Sequence, residues 1–89
     1  MKRNNSFLLR EVAGKQVVVP LGKAAAAFPG MLTLNATGVY LWQLLEQEQT
    51  EDSLVIAFCE RYDVNESTAR EDITACMVKL RSVGAIIES

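Results

Sequence analysis

Met31-Leu32-Thr33-Leu34 has strand character, and Asn35-Ala36-Thr37-Gly38 turns it directly into a helix that carries Val39, Leu41, Trp42, Leu44 and Leu45. This junction constrains the fold more than any other feature. Sheet-forming sequence precedes it, and helical sequence follows it. Asn35 is a good helix N-cap, because its side-chain oxygen accepts from backbone amides that have no partner in the first turn. The strand at 31–34 is left with few obvious partners. A strand whose outer edge stays open exposes backbone groups to which an extended segment can add.

The segments on either side read consistently with that division. Residues 7–12 form a strand, with Phe7, Leu9 and Glu11 on one face and Leu8, Arg10 and Val12 on the other. Ala13-Gly14-Lys15 is a turn, and the β-branched run 16–19 returns as the second strand of a hairpin that Pro20 ends. Residues 21–30 form a loop; Ala24–Ala27 have the composition of a helical turn, and Phe28-Pro29-Gly30 closes the segment. The first helix spans about 36–47 and is apolar around most of its circumference, which places it centrally. Thr50 caps a second helix, with Glu51 and Asp52 in the first turn and Leu54, Ala57, Phe58 and Tyr62 on its inner face. Asn65 caps the third helix, about 66–83, where Ala69, Ile73, Cys76, Met77 and Leu80 form a stripe of 3.6-residue period. Gly84 ends it, and Ala85-Ile86-Ile87 is an extended tail able to pack back on the body. Strands followed by helices predict an α+β domain: a winged-helix-like arrangement with a three-stranded antiparallel sheet followed by three helices.

Eighty-nine residues make one domain, 1–89, with 1–6 as a flexible tail. A chain of this size buries roughly 60–65% of its unfolded surface, so its core is thin. A net charge of −2 argues against a nucleic-acid partner, which requires a basic face. The chain has no histidine, hence no ready general base or pH switch. Cys59 and Cys76 stand far apart without partners at metal spacing, and read as reduced, small apolar residues. No apolar run suits a signal peptide or a membrane span, so no membrane partner is expected and the chain reads as cytoplasmic.

No catalytic constellation emerges. Glu71 and Asp72 are sequence neighbours and point to different sides of a helix. The glycines are scattered at turns and form no phosphate loop. Trp42 sits among leucines as a core residue. The positive charges of the third helix, Arg70, Lys79 and Arg81, are balanced by Glu66, Glu71 and Asp72, an unusual composition for a DNA-reading helix. Thr68, Asp72, Ala75 and Lys79 fall along one flank of the core stripe, with Cys76 at its inner edge. Such a flank reads either as an ordinary solvent boundary or as the wall of a shallow groove.

Taken together, several strings resemble the PqqD-like family of precursor-peptide recognition domains. They are Thr33-Leu34-Asn35-Ala36-Thr37-Gly38, Trp42-Gln43-Leu44-Leu45, Tyr62-Asp63-Val64, Ala69-Arg70-Glu71-Asp72-Ile73 and Leu80-Arg81-Ser82-Val83-Gly84-Ala85-Ile86. The resemblance covers about 7–87 and implies the same sheet-then-helices fold. It implies a domain that is not an enzyme and needs no cofactor or metal. Such a domain binds the leader segment of a ribosomally made precursor peptide as an added strand and presents it to a maturase, often a radical SAM enzyme. Carried onto this chain, the peptide-binding positions are Met31, Leu32, Thr33 and Leu34 on the third strand, and Thr68, Asp72, Ala75, Cys76 and Lys79 on the third helix. Asp72 matches an aspartate that recurs in the family's third helix. The resemblance points to leader recognition and not to any one final product. Two other readings remain: a winged-helix nucleic-acid binder, and an assembly module whose open strand pairs with a second copy as a homodimer.

Overall fold

The computed structural model describes residues 1–27 and 30–88. In chain order the elements are β1 (Lys2–Arg3), β2 (Phe7–Val12), β3 (Lys15–Pro20), α1 (Lys23–Ala27), β4 (Leu32–Leu34), α2 (Ala36–Leu44), α3 (Glu51–Tyr62), α4 (Glu66–Ser82) and β5 (Ile86–Ile87). The expected α+β class is present: β2, β3 and β4 form an antiparallel sheet in that order, followed by α2, α3 and α4.

The β2–β3 hairpin pairs Val12 with Lys15, which leaves a two-residue loop. Ala13 and Gly14 both have positive φ, 51° and 78°. Positive φ at both positions is what a type I′ turn requires, and its twist matches that of the flanking strands. On the other side of β3, Gln16, Val17 and Val18 pair with Leu34, Thr33 and Leu32.

Each long helix starts at the cap read from sequence. The Gly38 amide donates to Asn35 Oδ1 at 2.9 Å, and the Thr68 amide donates to Asn65 Oδ1 at 2.8 Å. Thr50 and Ser53 form a reciprocal capping box. At the end of α4, Gly84 takes φ 79°, its amide donates to the Arg81 carbonyl, and the Ala85 amide donates to the Leu80 carbonyl. That is a Schellman arrangement, which satisfies carbonyls left over at a helix end.

The core joins Phe7 and Val18 of the sheet to Leu41 and Trp42 of α2, Leu54 and Phe58 of α3, and the α4 stripe. Ala69, Ile73, Cys76, Met77 and Leu80 are all buried, as the periodicity predicts. On α3 the buried set is Leu54, Val55 and Phe58, while Ala57 and Tyr62 are half-buried. Because α3 packs against both α2 and α4, its buried stripe widens toward Val55. Helix α2 stops at Leu44, short of the expected 47, and Gln49 Nε2 donates to the Leu44 carbonyl at 2.9 Å.

The expectation of a flexible tail at 1–6 is corrected. Lys2 and Arg3 pair antiparallel with Ile87 and Ile86. The Arg3 amide donates to the Leu45 carbonyl at 2.9 Å, and the Asn4 amide to the Ala85 carbonyl at 2.7 Å. The Arg3 guanidinium stands 5.6 Å from the Trp42 ring centre. Polar composition concealed this because ladder pairing uses the backbone, whatever the side chains. The alanine run adopts the short helix α1; of the segment expected to close that loop, Phe28 and Pro29 lie outside the described residues. No described helix is long and apolar enough to cross a membrane.

Candidate functional site

Strand order places β4 at one end of the sheet, with β3 on one side. Among the described residues no strand pairs with its other side. Among the described residues the outer side of β2 is also unpaired, but β2 carries Arg10 and Glu11, and β4 carries no charge. Charges on an edge strand are a common defence against strand addition. Leu32-Thr33-Leu34 lacks that defence.

Beside this edge lies a groove of about 300 Å³ lined by Thr33, Leu34, Asn35, Thr37, Gly38, Asp72, Ala75, Cys76 and Lys79. That volume is at the low end for a small-molecule site and suits side chains of a peptide better than a bulky cofactor. Thr33 and Leu34 point to opposite faces of the sheet. A groove that touches both therefore runs along the strand's edge, with β4 as one wall and α4 as the other.

The turn from β4 into α2 shapes the first wall. Asn35 Oδ1 accepts from both the Gly38 amide and the Thr37 hydroxyl, at 2.9 and 3.0 Å. Gly38 is buried, and a Cβ there would lie 3.2 Å from Asn35 Oδ1 and 3.3 Å from Leu34. The missing side chain lets the first turn of α2 pass close to the end of β4. The second wall follows from helical spacing: Asp72, Ala75, Cys76 and Lys79 recur along one flank of α4.

Six of the nine positions expected from sequence line this groove: Thr33, Leu34, Asp72, Ala75, Cys76 and Lys79. The other three stand outside its lining. Met31 precedes β4 and is 57% exposed; Leu32 packs against the core; the Thr68 amide is engaged by the Asn65 cap. Asn35, Thr37 and Gly38 line the groove without having been assigned a binding role. Their signal was the junction itself, since a chain that turns from an edge strand into a helix must carry its turn along the same wall.

The electrostatics of the groove are simple. Burial pushes the Cys76 thiol from its ordinary value of 9.0 up to about 11, with a smaller opposing effect from the Lys79 charge. Cys76 is thus a neutral, apolar floor at physiological pH. Asp72 and Lys79 have no side-chain hydrogen bond or ion pair among the described residues. The other cations of α4 are engaged elsewhere. Arg70 pairs with Glu51, Asp52 and Glu66, and its guanidinium pKa is raised, chiefly by its hydrogen bond to Asp52 and then by that to Glu66. Arg81 pairs with Glu88. No group of three or more acidic or cysteine side chains able to hold a metal occurs among the described residues.

A family model described as coenzyme PQQ synthesis protein D, PqqD, matches residues 8–86. Among solved structures, TbiB1 in complex with the TbiA(beta) leader peptide is similar in fold: TM-score 0.70, 23% sequence identity, covering 92% of this chain and 90% of that one. No curated protein matches the chain.

Proposed function

The chain belongs to the PqqD family, and from that premise we propose that it is a non-catalytic peptide chaperone, binding the leader of a ribosomally made precursor peptide as a strand added to β4. It then presents the bound precursor to a maturase, with a radical SAM enzyme as the expected kind. The observation that carries this reading is the uncharged, unpaired edge of β4 running beside a groove walled by α4. A similarly folded protein, TbiB1, has been solved with a leader peptide bound.

The energetics suit the role. Backbone hydrogen bonds along β4 hold an extended segment of almost any sequence, and side chains reaching the groove give selectivity. Two apolar side chains buried there contribute roughly 1.5–3 kcal/mol each before ordering costs. A micromolar complex needs only about −8 kcal/mol. The alternative of nucleic-acid binding is disfavoured, because Arg70 and Arg81 are committed to acidic partners and the chain carries a net negative charge.

The test is to titrate isotope-labelled protein with the precursor encoded beside it and follow backbone amides. Shifts concentrated at 31–38 and 72–79 are expected; a bound peptide that leaves both segments unmoved refutes the reading. A second copy adding its own β4 would use the same edge. Sedimentation at rising concentration distinguishes that case, and a dimer dispersed by peptide would show that the two share one strand.

A further inference from the structure

The groove offers a captured strand two opposite charges and a neutral floor between them. Asp72 and Lys79 lie on the same flank of α4, seven residues apart, or about 10.5 Å along the axis. At that separation they do not pair with each other, and neither has another partner among the described residues. Ala75 and Cys76 fill the interval. Ala75 is too small to occupy the space above it, and the Cys76 thiol is neutral.

A peptide strand lying along β4 turns alternate side chains toward α4. Residues i and i+4 are about 13 Å apart in a strand, with i+2 midway. Flexible charged side chains close the difference between 13 and 10.5 Å without strain. The two ends of the helix flank therefore match positions i and i+4, and the Ala75–Cys76 floor matches i+2.

We propose that this groove selects a leader strand with a basic residue facing Asp72, a large apolar residue over Ala75 and Cys76, and an acidic residue facing Lys79, at positions i, i+2 and i+4. The proposal rests on strand capture by β4 and adds the chemistry of the captured segment. Backbone pairing alone accepts most sequences; this charge pattern sets both register and polarity, since sliding the peptide by two residues lays a charge over the neutral floor and leaves both helix charges unmatched, and reversing it brings like charges together. The sheet is antiparallel throughout, and antiparallel addition is the more stable per residue, so one polarity of the peptide dominates.

The test uses three synthetic nine-residue peptides. Their shared frame is Thr-Thr-X-Thr-Leu-Thr-Z-Thr-Thr, with X and Z as Lys and Glu, Glu and Lys, or Gln and Gln. Binding is followed by the amide shifts of residues 32–34 and by titration calorimetry. One charged order is expected to bind about tenfold more tightly than the other, with the Gln peptide between them, since partly exposed ion pairs contribute a few-fold each. The double exchange D72K/K79D is expected to reverse which order binds better, and K79Q to narrow the gap. Both side chains are exposed, so these variants should retain the wild-type unfolding curve. Equal affinity of the two charged orders overturns the proposal and leaves strand capture standing. Failure of all three peptides to shift 32–34 overturns both.

Discussion

Replacing Asn35 with alanine tests the link between the β4–α2 junction and the groove. Asn35 Oδ1 accepts from the Gly38 amide, in a part-buried setting, and from the Thr37 hydroxyl. Loss of an N-cap costs about 0.5–2 kcal/mol. Partial burial places this one in the upper half of that range, roughly 1.5 kcal/mol, since an amide shut off from water loses more when its acceptor goes. For a domain of this size each kcal/mol lowers Tm by about 4–8 °C. The matched control is N65A, which removes the equivalent but exposed cap of α4 and should cost about 1 kcal/mol. Thermal unfolding gives the two stabilities, and native-state hydrogen exchange gives the local effect. N35A should accelerate exchange across β4 and at Gln16–Val18 opposite it beyond what its global destabilisation explains; N65A should not. Equal exchange at β4 in the two variants, or an N35A protein as stable as wild type, would refute the claim that this cap holds the groove's first wall in place.

Three further outcomes follow from particular residues. Ala13 stands at φ 51°, where an L side chain is strained by about 1–2 kcal/mol; A13N, with a residue that tolerates this region, should raise the denaturant midpoint by about 1 kcal/mol equivalent, whereas A13V should lower it. Cys76, with its thiol raised from 9.0 to about 11, has about a hundredfold less thiolate near pH 8 than an ordinary cysteine; greater nucleophilicity per thiolate returns about tenfold, so alkylation should run about tenfold slower than at an unshifted thiol even before burial adds to the delay. The same shift has a sign for stability: the neutral thiol is the form the fold accommodates, so its contribution is present below pH 9 and lost as pH rises from 9 to 11, a loss that C76A should abolish. Deleting residues 1–5 should cost roughly 2–3 kcal/mol in urea unfolding by uncovering Ile86 and removing the β1 pairing, whereas a loose tail would cost nothing.

The parts of the fold legible in sequence share a cause. Asn35, Thr50 and Asn65 mark helix starts because a cap acts on amides two or three residues away. The α4 stripe is legible because burial on a helix imposes its own period, and the same period exposed the flank carrying Asp72, Ala75, Cys76 and Lys79. The β1–β5 pairing was not legible: it joins residues more than eighty positions apart through backbone groups that every residue possesses. Val55 was missed on α3 because its burial depends on where the neighbouring helices lie.

The site divides the same way. By itself the sequence determined the strand, the turn at Asn35 and the small-and-polar flank of α4, since each is a local pattern of side chains. Only the tertiary structure decided that β4 ends the sheet, that Thr37 and Gly38 share the wall, and that Met31, Leu32 and Thr68 stand outside it. Those outcomes depend on strand order and on how α4 lies beside β4. Both arise from burying the sheet face and the helix stripe in one core, which no local stretch of the chain encodes.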